Sequence, residues 1–341
     1  MLKSTILAAV VLALCADASA QPIIVDHTTL VPIDQVPSAY LDAARAIAAM
    51  TIGRSVGWNI DAGLDCLRTP YASASSACKR GVPASMQWTG SYSRTNVTTF
   101  GWPGVGLPNP VPAPCASLSN GYWVGYQPQF LCLAQERQAD YGVFSFQYDY
   151  ISNMQPSNPL ANYFTNGQSA AFTAWAQGLP LGKRAVAWTA NLMRDDGTGD
   201  TILARLNAFS AQMRQWAPAL DYPLLDMADL ESHDLNGIEC RSPRGDLALC
   251  AAYTDETIGG HLNATGQARI ATAYWNILAR LAGWSGPASG PDTAPPSVTL
   301  ACTLAGCSAA VSDAGGVAHV TATVSATDAA GNTATQTATV P

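Results

Sequence analysis

Short apolar runs alternate along the first 284 residues with helix-length segments, and each run hands over to a polar or turn residue. Ala48–Ile52 leads into the turn Gly53-Arg54-Ser55-Val56-Gly57. Tyr141–Phe146 is followed by Gln147, Ala185–Ala190 by Asn191, and Leu224–Ala228 by Asp229. Between them, residues 38 to 50 and 168 to 178 are helix-prone, and residues 201 to 216 form an amphipathic helix. Residues 48 to 52 could close the first helix or form a buried strand, because periodicity does not separate the two. The alternation predicts an α/β fold with a mostly parallel sheet. In such sheets reactive groups gather where strands give way to loops at their C-terminal ends. Ser55, Gln147, Asn191, Asp229 and His261 all fall at or after such positions.

His261 lies in Gly259-Gly260-His261-Leu262-Asn263, directly before a helix with Asn263 or Thr265 as its N-cap. Ile270, Tyr274, Ile277, Leu278, Leu281 and Trp284 form the apolar stripe of that helix. A ring held on a loop by a rigid element suits a general base. A surface histidine before a packing helix is the plain alternative.

The ends of the chain read differently. Residues 1 to 20 resemble a secretory signal, with Lys3, an apolar core from Ile6 to Leu14, and Ala18-Ser19-Ala20 as the cleavage site. That core is too short for a membrane span, so a secreted or periplasmic product is expected. Residues 285 to 296 are a Pro/Gly/Ser linker. Residues 297 to 341, rich in Val, Thr and Ala, read as a small all-β module resembling bacterial Ig-like modules in Asp328-Ala329-Ala330-Gly331-Asn332. The main domain is then 21 to 284.

Of nine cysteines, one lies in the signal, leaving an even eight. In an exported chain this implies disulfides. Local pairs are the simplest arrangement: 66–78, 115–132, 240–250 and 302–307. The close Cys/His spacing of a zinc site is absent from the sequence. A net charge of -7 with 12% charged residues argues against a nucleic-acid partner, which needs clustered Lys and Arg. Residues 66 to 140, rich in Ser, Gly, Pro and aromatics, read as stapled surface loops with little regular structure. Their Trp88, Tyr92, Trp102, Tyr122, Trp123 and Tyr126 either line a sugar-binding cleft or pack under the loops.

Ser55 is the candidate nucleophile. A serine hydroxyl needs a nearby base, and a Gly-x-Ser-x-Gly turn after a strand projects it from a tight bend. An early serine after a first strand and a late histidine before the last helix resemble the SGNH (GDSL-like) hydrolase superfamily. Asp26-His27-Thr28, the Ser55 turn, the stretch Leu225 to His233 and Gly259 to Asn263 carry the likeness, over about residues 23 to 284. The resemblance implies a three-layer α/β/α fold, a serine nucleophile, a histidine base and ester hydrolysis, commonly of an acyl group on a carbohydrate or lipid. No metal or organic cofactor is implied.

The sequence departs from the superfamily at three places. Arg54 stands where G-D-S has aspartate, and Ile258 occupies the position three before His261. Asp255 is the expected orienting acid, with Asp229 as the other option. The oxyanion donors would be Gly101 or Gly104 together with Gln147, which replaces the superfamily's asparagine; Asn191 is the fallback. His233 is an alternative base, His27 reads as structural, and His319 lies in the β module. The leading expectation is a secreted serine esterase acting on a small ester or acylated carbohydrate. The departures motivate a rival, a non-catalytic extracellular binding protein on the same fold. The β module suggests a second rival, a surface protein contacting a cell or polymer.

Overall fold

The computed structural model describes residues 22–53, 55–93, 97–100, 113–118, 127–150, 160–195, 202–287, 297–303, 306–312, 320–327 and 333–340. The proposed signal segment, Arg54, Gly101, Gly104, Trp102, Tyr122, Trp123, Tyr126, His319 and most of the linker lie outside the described residues.

Six strands make one parallel sheet. They are β1 (Ile24–Val25), β2 (Ala49–Ile52), β3 (Val97–Phe100), β4 (Val143–Phe146), β5 (Arg184–Trp188) and β6 (Leu224–Leu225), in the spatial order β1-β6-β5-β4-β2-β3. The chain passes from β2 to β3 on one side and then returns to place β4 on the other. The crevice beyond the C-terminal ends of β2 and β4 is therefore a topological switch point, the preferred place for a site in such sheets.

Helices cover both faces. In chain order they are α1 (Ser38–Ala46), α2 (Ser55–Cys66), α3 (Ser76–Lys79), α4 (Ala113–Ala116), α5 (Gln127–Glu136), α6 (Gln168–Gln177), α7 (Ile202–Ala219), α8 (Met227–Ser232) and α9 (Ala264–Leu281). Strand alternation sorts the two layers. Phe144 and Phe146 of β4 meet Trp175 of α6 and Phe130 of α5. Between them, Ser145 turns the other way and hydrogen-bonds Thr51, which also bonds Tyr274 of α9. Trp188 of β5 packs edge-on against Tyr274 as well. Burying aromatics of this size contributes about 2–3 kcal/mol each. The expected three-layer α/β/α architecture is the one observed.

Local boundaries shift. The segment 38 to 50 divides: the helix stops at Ala46, and Ala49–Ile52 is a fully buried strand. The apolar run 224 to 228 is strand only to Leu225, because Asp226 caps α8 by accepting the Asp229 N–H. The stretch 66 to 140 holds more regular structure than expected, including β3 and α5. Trp88 and Tyr92 within it are buried, at 3% and 8% exposure, so they pack rather than offer open sugar platforms.

Disulfides join Cys66–Cys78, Cys115–Cys132 and Cys240–Cys250, as expected from their spacing. Cys302 and Cys307 stand opposite each other in the antiparallel pair β7 (Ser297–Thr303) and β8 (Gly306–Ser312). A second antiparallel pair joins β9 (Val320–Thr327) to β10 (Thr333–Val340). Among the described residues no helix is long and apolar enough to cross a membrane.

Candidate active site

Ser55 is the first residue of α2, two residues separating it from the end of β2. It is half-buried and sits at a helix start, where unsatisfied N–H groups and the helix dipole favour developing negative charge. The glycines on either side leave space for a side chain packed against them. A Cβ on Gly53 would lie 2.9 Å from Gln147 Oε1, and one on Gly57 would lie 2.7 Å from it. The Gly-x-Ser-x-Gly pattern thus makes room for Gln147.

Gln147 therefore points its amide oxygen at the backbone around Ser55. It is fully buried, and its Nε2 donates to Asn191 Oδ1 at 2.7 Å. This corrects the expectation of an oxyanion donor at 147. The fallback, Asn191, is also fully buried and donates its own Nδ2 to Glu231 Oε1 at 2.7 Å. Gly101 lies outside the described residues.

His261 is held at a loop edge. Its Nδ1 lies 2.7 Å from Glu256 Oε1, and its backbone N–H donates to Glu256 Oε2 at 3.0 Å. The Thr254 hydroxyl donates to the His261 carbonyl at 2.6 Å and accepts the Glu256 N–H at 3.0 Å. Asp255, the expected acid, points elsewhere. Its carboxylate pairs with Arg80 and accepts a 3.4 Å bond from Asn263 Nδ2. Neighbouring residues on this loop face opposite ways, so the acid on the imidazole is Glu256.

Two further contacts tie the histidine loop to the serine helix. The Leu262 N–H donates to Asn59 Oδ1 at 2.6 Å. Asn59 is one helical turn beyond Ser55 on the same face. Asn263 caps α9 by accepting N–H bonds from Thr265 and Gly266 at 3.0 and 3.2 Å, and α9 packs along α2. Arg80, Asp255, Glu256, His261, Asn263 and Gln267 line part of a cleft of about 920 Å³. Trp58, on the first turn of α2, is 42% exposed, and Ile258, just before the histidine, is 55% exposed.

No protein-family profile matches the chain, and no curated protein matches it. One similar solved structure is the C-terminal catalytic domain of Streptococcus pneumoniae peptidoglycan O-acetyltransferase A (OatA) with a methylsulfonyl adduct. The two are 14% identical, with 71% of this chain and 97% of that one covered, at a TM-score of 0.33. Similarity at this level carries no inference about activity.

His27 and His233 come together at the far flank of the sheet. His27, after β1, bonds the Asp229 carboxylate through Nδ1, and His233 Nδ1 donates to the Asp229 carbonyl at 2.9 Å. The two rings stack at 3.7 Å, 9° from parallel. Asp229 is thereby engaged away from His261, and His233 is only 9% exposed. His27, Asp229 and His233 are the only metal-compatible cluster among the described residues. Stacked rings present parallel lone pairs, however, and one ion about 2.0–2.1 Å from both would require them to splay.

Sequence reasoning passed over Glu256, Asn59 and Trp58. The i+3 and i+4 spacing of Trp58 and Asn59 from Ser55 was the signal that could have found them.

Proposed function

We propose that the protein is a serine-dependent acyl-ester enzyme. Ser55 is the nucleophile, His261 the base, and Glu256 the acid that fixes the imidazole. The observation that carries this reading is the Glu256–His261 contact on a loop bonded through Asn59 to the helix that Ser55 begins. A carboxylate on Nδ1 leaves Nε2 to accept the serine proton, and it steadies the imidazolium that forms.

Ser55 Oγ attacks the ester carbonyl, its proton moves to His261, and the alcohol departs with that proton. The Ser55 N–H, at the positive end of α2, stabilises the oxyanion; Gly101 stays the proposed second donor. Water, activated by the same histidine, then releases the acid and restores Ser55. The favoured substrate is an acylated, commonly acetylated, carbohydrate. Support comes from the open cleft beside His261 and from exposed Trp58, an aromatic face of the kind that stacks on sugar rings. Three disulfides fit the proposed export. Residues 297 to 341 are proposed as a separate module contacting a surface or polymer.

The test is hydrolysis of a chromogenic acetate, then of acetylated polysaccharides, by wild type, Ser55→Ala and His261→Ala. Both folded variants are expected to lose on the order of a thousandfold in kcat. Undiminished activity in Ser55→Ala would overturn the assignment. Acetyl transfer to an added alcohol faster than acetate release would make the enzyme a transferase through the same acyl-enzyme.

A further inference from the structure

We infer that Glu231, acting through Asn191, sets the orientation of the Gln147 amide and so positions the turn that carries Ser55. The inference rests on the reading of Ser55 as the nucleophile.

The three side chains cross the C-terminal edge of the sheet one strand at a time. Glu231 lies in α8, after β6; Asn191 follows β5; Gln147 follows β4; and the Gly53–Gly57 turn follows β2. Glu231 is 1% exposed, and both amides are fully buried, so water does not compete along the line. Glu231 Oε2 accepts the Leu192 N–H at 2.6 Å, and Oε1 accepts Asn191 Nδ2 at 2.7 Å.

Ionised, the carboxyl can only accept at these two positions; protonated, it keeps both bonds with its O–H turned away from Asn191. Asn191 must therefore turn its NH2 toward Glu231 and its oxygen toward Gln147. That oxygen accepts Gln147 Nε2. Gln147 in turn must direct its own oxygen at the gap between Gly53 and Gly57. An oxygen suits this place, because the first turn of α2 presents N–H groups that the helix itself does not satisfy. The opposite face of the amide would set NH2 against them. Glu231 is thus a positioning residue that acts three strands from where its carboxyl sits.

Glu231→Gln keeps the volume but accepts only one of the two N–H groups. If its oxygen takes the Leu192 N–H, its NH2 meets Asn191, and both amides downstream flip or lose a bond. Adding Asn191→Asp to that background supplies two acceptors at 191, one for the new NH2 and one for Gln147 Nε2. The Gln147 oxygen is then returned to the turn. A role limited to filling space would not give this reversal.

The experiment measures the rate at which phenylmethylsulfonyl fluoride modifies Ser55, read by mass spectrometry, beside kcat and KM for a chromogenic acetate. Glu231→Gln is expected to slow modification and kcat by about ten- to a hundredfold with KM little changed. The double variant is expected to recover most of the loss and, should the single variant fold poorly, its thermal midpoint too. Rates in Glu231→Gln within twofold of wild type, or no recovery in the double variant, would overturn the inference and leave the proposed function standing. A wild type that neither labels at Ser55 nor hydrolyses the ester would overturn both.

Discussion

Glu256 Oε1 lies 2.7 Å from His261 Nδ1, while Asp255, one residue earlier, turns its carboxylate to Arg80. Two adjacent acids thus divide their work, one on the imidazole and one on the cleft wall. Glu256→Gln weakens the hold on the imidazolium and is expected to lower kcat on the order of a hundredfold. The loss should fall short of the roughly ten-thousandfold cost of removing a fully buried triad acid, because solvent reaches this half-exposed pair. Asp255→Asn is expected to leave kcat within about twofold. Steady-state kinetics on one ester checks both. Equal losses in the two variants would return Asp255 to the site.

Gly63 lets α2 and α9 pack closely against each other. A Cβ there would lie 2.2 Å from the Gln267 carbonyl oxygen and 2.9 Å from Ala271 Cβ. Backbone cannot yield as a flexible side chain can, so Gly63→Ala must push the helices apart. The expected cost is about 2–3 kcal/mol. Because α2 begins at Ser55 and α9 follows His261, kcat should fall along with the thermal midpoint. A variant as stable as wild type would show that the crossing relaxes freely.

The parts of this architecture visible in the sequence are those set by local rules. The Asn263 cap, the amphipathic α9, the buried run of β4 and the short-range disulfides each depend on residues within about twenty positions. Relationships across the sheet were not visible. Gln147 looked like an oxyanion donor because it follows a strand; only its bond to Asn191, 44 residues away, shows that the amide is already committed. Glu256 and Asp255 differ by the direction of one loop residue, which no periodicity reports. The run ending at Ala228 hid a helix start, because the capping bond of Asp226 competes locally with strand.

Arg214 supports the same edge from below. Its Nε and Nη2 meet the two oxygens of Asp226 at 2.5 and 2.9 Å, and Asp226 also accepts the Thr189 hydroxyl at 2.9 Å. Burial pushes the Asp226 carboxyl up despite the guanidinium beside it. Arg214→Met would strand this carboxylate at 4% exposure. The expected loss is about 2–3 kcal/mol, below the full cost of breaking a buried pair because Arg214 itself is partly exposed. Urea denaturation should show a larger deficit at pH 8 than at pH 5, since protonation relieves the stranded charge at low pH.

Glu231 gives the relay its own pH signature. Burial pushes its carboxyl from 4.5 up to about 8; the Leu192 N–H and the Asn191 amide pull it down, and the nearby Asp149 charge pushes it further up. Between those two values the native state holds a proton that the unfolded chain has released. The unfolded state then binds fewer protons, so stability falls as pH rises through the window and levels off above it. Glu231→Gln cannot ionise and lacks this slope. Wild type minus Glu231→Gln, measured by urea denaturation, should therefore shrink by a few kcal/mol between pH 5 and pH 8. A difference that stays constant would mean that the buried carboxyl is ionised throughout that range, held by its two N–H donors more strongly than burial opposes it.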